Sequence, residues 1–185
     1  MVEKITCRAA TTDDIPLLAR HHRMMFEEMR SLDANNLPRD SCCGPAECNT
    51  GFPLAMAQPA APPAPDFDQL EATMAEKLAL QMKDGSCIAW IAFSGTTPVA
   101  SGGVSIISTV PVPEDPTLEI AFLHSVFTEK NMRGQGIASM ILDKLLDHCR
   151  SKGIKRVQLN ASEAGMSVYQ KKGFHILERV MLCWL

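Results

Sequence analysis

The stretch SVFTEKNMRGQGIASMILDKLL, Ser125 to Leu146, constrains the fold more than any other part of the chain. It passes from an apolar, strand-like run through a turn carrying Arg133, Gly134 and Gly136 into a segment with helical spacing. Ile137, Ile141 and Leu145 recur at i+4, and Leu142 and Cys149 widen the stripe; Asp143, Lys144, Asp147 and Arg150 take the other side. Gly153 stands where a helix C′ residue belongs. The first amides, from about Gly134 to Ser139, then have no carbonyl partner within the helix. Amides at the positive end of a helix dipole hold anions, and glycine lets a phosphate approach the backbone. The competing reading is an ordinary strand-to-helix turn in which glycine only relieves crowding.

Two nucleotide motifs fail on the same letters. GQGIAS puts Ser139 where the dinucleotide pattern G-x-G-x-x-G needs its third glycine, and no second βαβ half is visible. A Walker A loop needs a Gly-Lys-Ser/Thr ending, which is absent.

With 185 residues, 46% hydrophobic and 21% charged, the chain suits one packed domain over 1–185. A net charge of −3 gives no sequence-wide reason to bind nucleic acid or an anionic membrane. Apolar runs fall far below the ~20 residues of a membrane span, and the amino terminus lacks a secretory pattern. Seven cysteines, an odd number scattered from Cys7 to Cys183, predict reduced thiols and a cytoplasmic location. Cys42, Cys43 and Cys48, with His21 and His22 upstream, lack the paired C-x2-C knuckle of a zinc site, so no metal is expected. His21 and His22 are expected on a partly exposed helix face.

KITCRAAT alternates as a first strand, with Thr12 capping a helix that runs to about Arg30 and leaves room for a kink. From Asp33 to Pro65 periodicity disappears into Pro, Gly, Ala and Asn, which predicts an insertion at 33–65. Asp66 or Asp68 then opens a second helix with Leu70, Met74, Leu78 and Met82 on one stripe. SCIAWIAFSGTTPVASGGVSII reads as a hairpin turning at Gly95 to Pro98; TLEIAFLHSVFT and RVQLNAS are further strands, and GFHILERVMLCWL supplies the last ones. The order β, α, α, β, β, β, α, β, α, β is mixed α/β with a single strand–helix–strand crossover.

Arg133, Gly136 and Ala138 match the Q/R-x-x-G-x-G/A signature of the GNAT family of N-acetyltransferases, and LNASEAGMSVYQKKGF resembles the family's following block, which ends in Tyr-x-x-x-Gly-Phe. The resemblance covers Leu118 to Phe174 and does not include the insertion. It implies a mixed, mostly antiparallel twisted sheet with flanking helices, the acyl-CoA N-acyltransferase fold, and acetyl-CoA as donor. The pyrophosphate would lie on Gly134, Gln135, Gly136, Ile137, Ala138 and Ser139 beside Arg133, and the pantetheine arm along Val126, Phe127 and Thr128. Tyr169, the sole tyrosine, resembles the family residue facing the CoA sulfur, and a phenol can protonate a departing thiolate. Glu119 and His124 are the candidate bases; five residues apart, they point to opposite faces of a regular strand, and family analogy favours Glu119. Ser162 and Asn160 would orient the thioester or the CoA arm, or serve as strand-end hydrogen-bonding groups.

The expected activity is acetyl transfer to a primary amine, of a small molecule or a peptide, by direct attack in a ternary complex. A non-catalytic acyl-CoA sensor is the alternative. Nucleic acid and membrane are not expected as partners, and a homodimer is compatible with the sequence.

Overall fold

The computed structural model describes residues 4–36 and 64–177. β1 (Ile5–Ala9) leads through a 3₁₀ turn into α1 (Ile15–Asn36), followed by α2 (Phe67–Asp84) and the strands β2 (Cys87–Ser94), β3 (Thr97–Ser108) and β4 (Glu119–Thr128). α3 (Ile137–Ser151) crosses over to β5 (Val157–Gln158), and α4 (Glu163–Gln170) follows. The strands form one sheet in sequence order, antiparallel from β1 to β4, with β5 parallel to β4. The single crossover is the one the element order predicts, and the mixed, mostly antiparallel sheet is the one the family resemblance implies.

Local chemistry explains most boundaries. Asp66 caps α2 by accepting the amides of Asp68 and Gln69, and Gly85, with φ 79°, ends it in the left-handed conformation. Thr11, rather than Thr12, precedes the first turn, and its amide donates to Asp14, whose carboxyl also takes both guanidinium arms of Arg8. The first helix does not stop near Arg30: it continues unbroken to Asn36, so residues 33–36 are helix rather than insertion. Residues 37–63 of that segment lie outside the described residues. So do 178–185 of the expected terminal strands, and Gly173–Leu177 form no strand.

Helices cover the two faces of the sheet. Ala92, Val104, Ala121 and Leu123 meet the α3 stripe of Ile141, Leu142 and Leu145. On the other face Leu18 and Ala19 of α1, with Met74 and Leu78 of α2, cover Cys87, Ala89 and Ile91. The period-2 alternation of β2 thus feeds both layers.

Two irregularities in β4 shape the edge of the sheet that leads to the glycine turn. Ser101 pairs with Phe127 and Gly103 with His124, so Gly102 alone faces both Ser125 and Val126 across a bulge. Ser125 has φ 55°, the one positive φ of a non-glycine among the described residues. On its other edge β4 pairs with β5 only at Ala121 and Phe122, and beyond them this edge has no strand neighbour among the described residues. The part of this edge without a strand neighbour leads to the glycine turn. The paired end is held by Asp115, buried in the β3–β4 loop, whose carboxylate takes Arg156 Nε at 2.8 Å and is held down to about pH 2 by Thr117 and Arg156.

Candidate functional site

After β4, a 3₁₀ turn at Lys130–Met132 leads to Arg133 and the two glycines, both left-handed with φ 77° at Gly134 and 78° at Gly136. Gly136 is the N-cap of α3 without any side-chain cap. The first i→i−4 bond of the helix is Met140 N–H to Gly136 O at 3.0 Å, so the amides of Ile137, Ala138 and Ser139 precede any helical acceptor. A Cβ at Gly134 or Gly136 would meet no atom within 4 Å. The glycines are needed for conformation, not for packing, and the space over the turn is open. Open amides at the positive end of a fifteen-residue helix make an anion seat.

Arg133 is occupied differently from the sequence expectation. Its Nε donates to Thr128 O at 2.9 Å, and its two terminal nitrogens hold Glu28 of α1 at 2.6 and 2.8 Å. That pairing lowers the Glu28 carboxyl below its usual range. Arg133 thus ties α1 to the end of β4, and its charge is already matched. Along the open edge, Val126 packs toward α3, while Phe127 is buried against the His21 ring at 4.9 Å between centroids. Thr128 Oγ1 is buried with no partner among the described residues.

Tyr169 sits on α4, against the α3 face of the sheet. Ser162 accepts the Gly165 amide at 3.3 Å, so the side chain predicted for the CoA arm serves as the helix cap. Asn160 is exposed beside it. A Cβ on Gly165 would lie 3.0 Å from the Tyr169 ring, so the glycine lets that ring lie across the first turn. Phe174 meets the ring edge-on at 5.9 Å, and Lys172 binds Asp143 of α3 at 2.6 Å. Burial pushes the phenol above its ordinary value, keeping it protonated at neutral pH. Glu119 is not brought to this group. It is the exposed first residue of β4, opposite Ser108, and the β5-paired residues separate it from the open part of the edge.

The face opposite Tyr169 holds a polar constellation. His21, expected to be partly exposed, is 3% exposed and hydrogen-bonds Ser101 at 2.9 Å; burial lowers its imidazole to about 4. His22 Nδ1 lies 2.8 Å from Ser125 Oγ, which lies 3.0 Å from His124 Nδ1. His124 Nε2 reaches Ser105 Oγ at 3.0 Å, and Ser105 also meets Lys77 Nζ at 2.9 Å and Gln81 at 3.0 Å. His124 is lowered to about 3, chiefly by burial and then by the Lys77 cation; His22 is lowered by the same two causes. Gly103 makes room: a Cβ there would stand 2.9 Å from the His124 ring. A cleft of about 590 Å³, lined in part by Glu27, Glu28, Phe127 and Glu129, opens between α1 and the end of β4.

Cys42, Cys43 and Cys48 lie outside the described residues, and among the described residues no group of three or more His, Cys, Asp or Glu could hold a metal ion. No helix among them is long and apolar enough to cross a membrane.

The family model for the acetyltransferase (GNAT) family matches residues 54–174. No curated protein matches the sequence. Among solved structures, a predicted acetyltransferase from Clostridium acetobutylicum, determined with acetyl-CoA, is 20% identical with a TM-score of 0.73, over 97% of this chain and 95% of the other. A GCN5-related N-acetyltransferase from Ralstonia eutropha is 20% identical with a TM-score of 0.72, over 97% of both chains. Glucosamine-6-phosphate N-acetyltransferase from Arabidopsis thaliana is 15% identical with a TM-score of 0.56, over 98% of this chain and 99% of that one. At these identities the likeness establishes the fold.

Proposed function

Since the chain belongs to the GNAT family of acetyltransferases, we propose that it transfers an acetyl group from acetyl-CoA to a primary amine by direct attack in a ternary complex. The observation that carries this reading is the β4 edge that parts from β5 after Phe122 and runs to the open amides of the two-glycine turn. An extended pantetheine arm would pair with the Val126–Thr128 backbone as a missing strand does, and the diphosphate would rest on the amides of Gly134 through Ser139. Acetyl-CoA is the acyl donor, and no resident metal is invoked.

The thioester carbonyl, held near Val126, would take a hydrogen bond from the β4 backbone as negative charge develops on its oxygen. Tyr169, protonated and fixed by Gly165 and Phe174, gives its proton to the departing CoA sulfur. Small-molecule or peptide amines are the acceptors, and neither nucleic acid nor membrane is invoked. The test is thiol release from acetyl-CoA against a panel of amino acids, polyamines, aminoglycosides and amino-terminal peptides. Amine-dependent, saturable release is expected. Tight CoA binding with no release across the panel would overturn catalysis and leave an acyl-CoA-binding module.

A further inference from the structure

The constellation on the α1 face has a direction that follows from its chemistry. Lys77 can only donate, and it donates to Ser105 Oγ at 2.9 Å. Ser105 gives its one hydroxyl hydrogen to Gln81 at 3.0 Å, so toward His124 Nε2 it accepts. His124 therefore carries its proton on Nε2 and offers the Nδ1 lone pair, which takes the Ser125 hydroxyl. Ser125, its hydrogen given, accepts from His22 Nδ1–H. His22 is left with a lone pair on Nε2, for which the described residues supply no partner.

The backbone is bent to make this chain. In a regular strand the neighbours His124 and Ser125 would point to opposite faces. The bulge, with Ser125 at φ 55°, turns both toward α1. A serine in that conformation is strained, and such strain persists only where surrounding structure holds it. The bend falls on β4 between the β5-paired residues and Val126, on the part of the edge without a strand neighbour among the described residues.

We infer that His22 is the base that takes the proton from the attacking amine, with its tautomer set through Ser125, His124 and Ser105. This rests on the acetyl-transfer reading. The amine nitrogen bonds to the carbonyl carbon as the carbon–sulfur bond breaks. Its proton goes to His22 Nε2, Tyr169 protonates the sulfur, and solvent restores both residues. His22 and Tyr169 stand on opposite faces of the sheet. Ser125 and His124 act through His22 and are positioning residues. The titratable groups that act on His22 are Lys77 on α2 and His124 on β4, and His21 is its neighbour on α1.

His22→Gln keeps a hydrogen bond to Ser125 but cannot accept the proton. Turnover is expected to fall roughly 10²-fold with CoA affinity unchanged, and the acidic limb of the kcat–pH profile should disappear. Ser125→Gly relieves the positive φ and removes the hydroxyl. It should fold, the relieved φ offsetting in part the two lost hydrogen bonds, yet turn over more slowly with the acidic limb displaced; a merely structural serine would leave the limb in place. Nitrogen-15 spectra of the parent imidazoles should show His22 protonated on Nδ1 and His124 on Nε2. Opposite tautomers, or a His22→Gln enzyme matching an active parent in rate and pH profile, overturn the base assignment alone. A parent inert toward the whole amine panel overturns the acetyl-transfer reading and the base assignment with it.

Discussion

The α3 face and the α1–α2 face of the sheet are built from different materials. On the α3 side buried aliphatic side chains interlock from Ala92 to Cys149, and the polar groups that join them, on Trp90 and Tyr169, belong to partly buried side chains packed against that cluster. On the other side a smaller apolar cluster borders His21, Ser101, His124, Ser105 and Ser125, all in hydrogen bonds. An aliphatic layer suffices to hold a helix against a sheet. Buried imidazoles and serines gain little net stability over an apolar core and lose much if one partner fails. A fold that keeps them gives up stability on that face, which accords with the base proposed there.

Acid should separate the faces most strongly. His21 and His124 titrate at about 4 and about 3 in the fold, against about 6.5 when unfolded. Between those values the unfolded chain binds more protons, so stability is full above about pH 6.5 and falls with pH at up to ~1.4 kcal/mol per unit for each histidine. A loss on the order of 3–5 kcal/mol is expected between pH 7 and 4.5, before Asp14, held near 2 by Arg8, begins to titrate. Urea unfolding at several pH values measures it. Equal midpoints at pH 7 and 5 would remove the distinction between the faces.

The α3 face has its own test in Tyr169→Phe, which keeps the ring beside Gly165 and Phe174. Acetyl-CoA should bind nearly as in the parent while single-turnover rates drop roughly 10²-fold at saturating substrates. Coincident rates would return Tyr169 to packing. Smaller, about tenfold, is the expected loss of CoA affinity in Gly136→Val, since a β-branched residue resists φ 78° and its side chain would occupy the open space over the turn. Unchanged affinity in the folded variant would take the diphosphate off these amides.

Sequence reasoning reached the two faces unequally, for a physical reason. The α3 stripe, the Asp66 cap, the hairpin at Gly95 and the glycine turn are local: spacing or one residue's chemistry announces each. The other face depends on contacts across 80 residues for His21–Ser101, 103 for His22–Ser125 and 105 for Arg133–Glu28, which no periodicity reports. Nor does the bulge announce itself, because its positive φ falls on a serine. Gly102 and Gly103 read as ordinary strand residues, although Ile141 and His124 fill the space of their missing side chains. The parity argument for β4 needed only residues before the bulge and separates Glu119 from His124 correctly; the base it favoured by analogy stands at the strand's other end.

The smallest effect probes how far charge reaches across the α1–α2 face. Lys77 is half-buried, its ammonium lowered by burial, and its cation helps to lower both His22 and His124. Lys77→Met preserves the apolar stem, and Ser105 keeps Gln81 and His124 as partners, so the fold should survive. With the cation gone, protonated imidazole is less disfavoured, and both histidines should titrate at higher pH. Burial, the larger cause, remains, so the upward displacement is expected to be small. Proton NMR titration of the His22 ring measures it without any substrate, and the acidic limb of turnover should move the same way. If the His22 titration stays fixed or moves downward, Lys77 does not act on this site through its charge, and its contact with Ser105 serves only to fill a buried hydrogen bond.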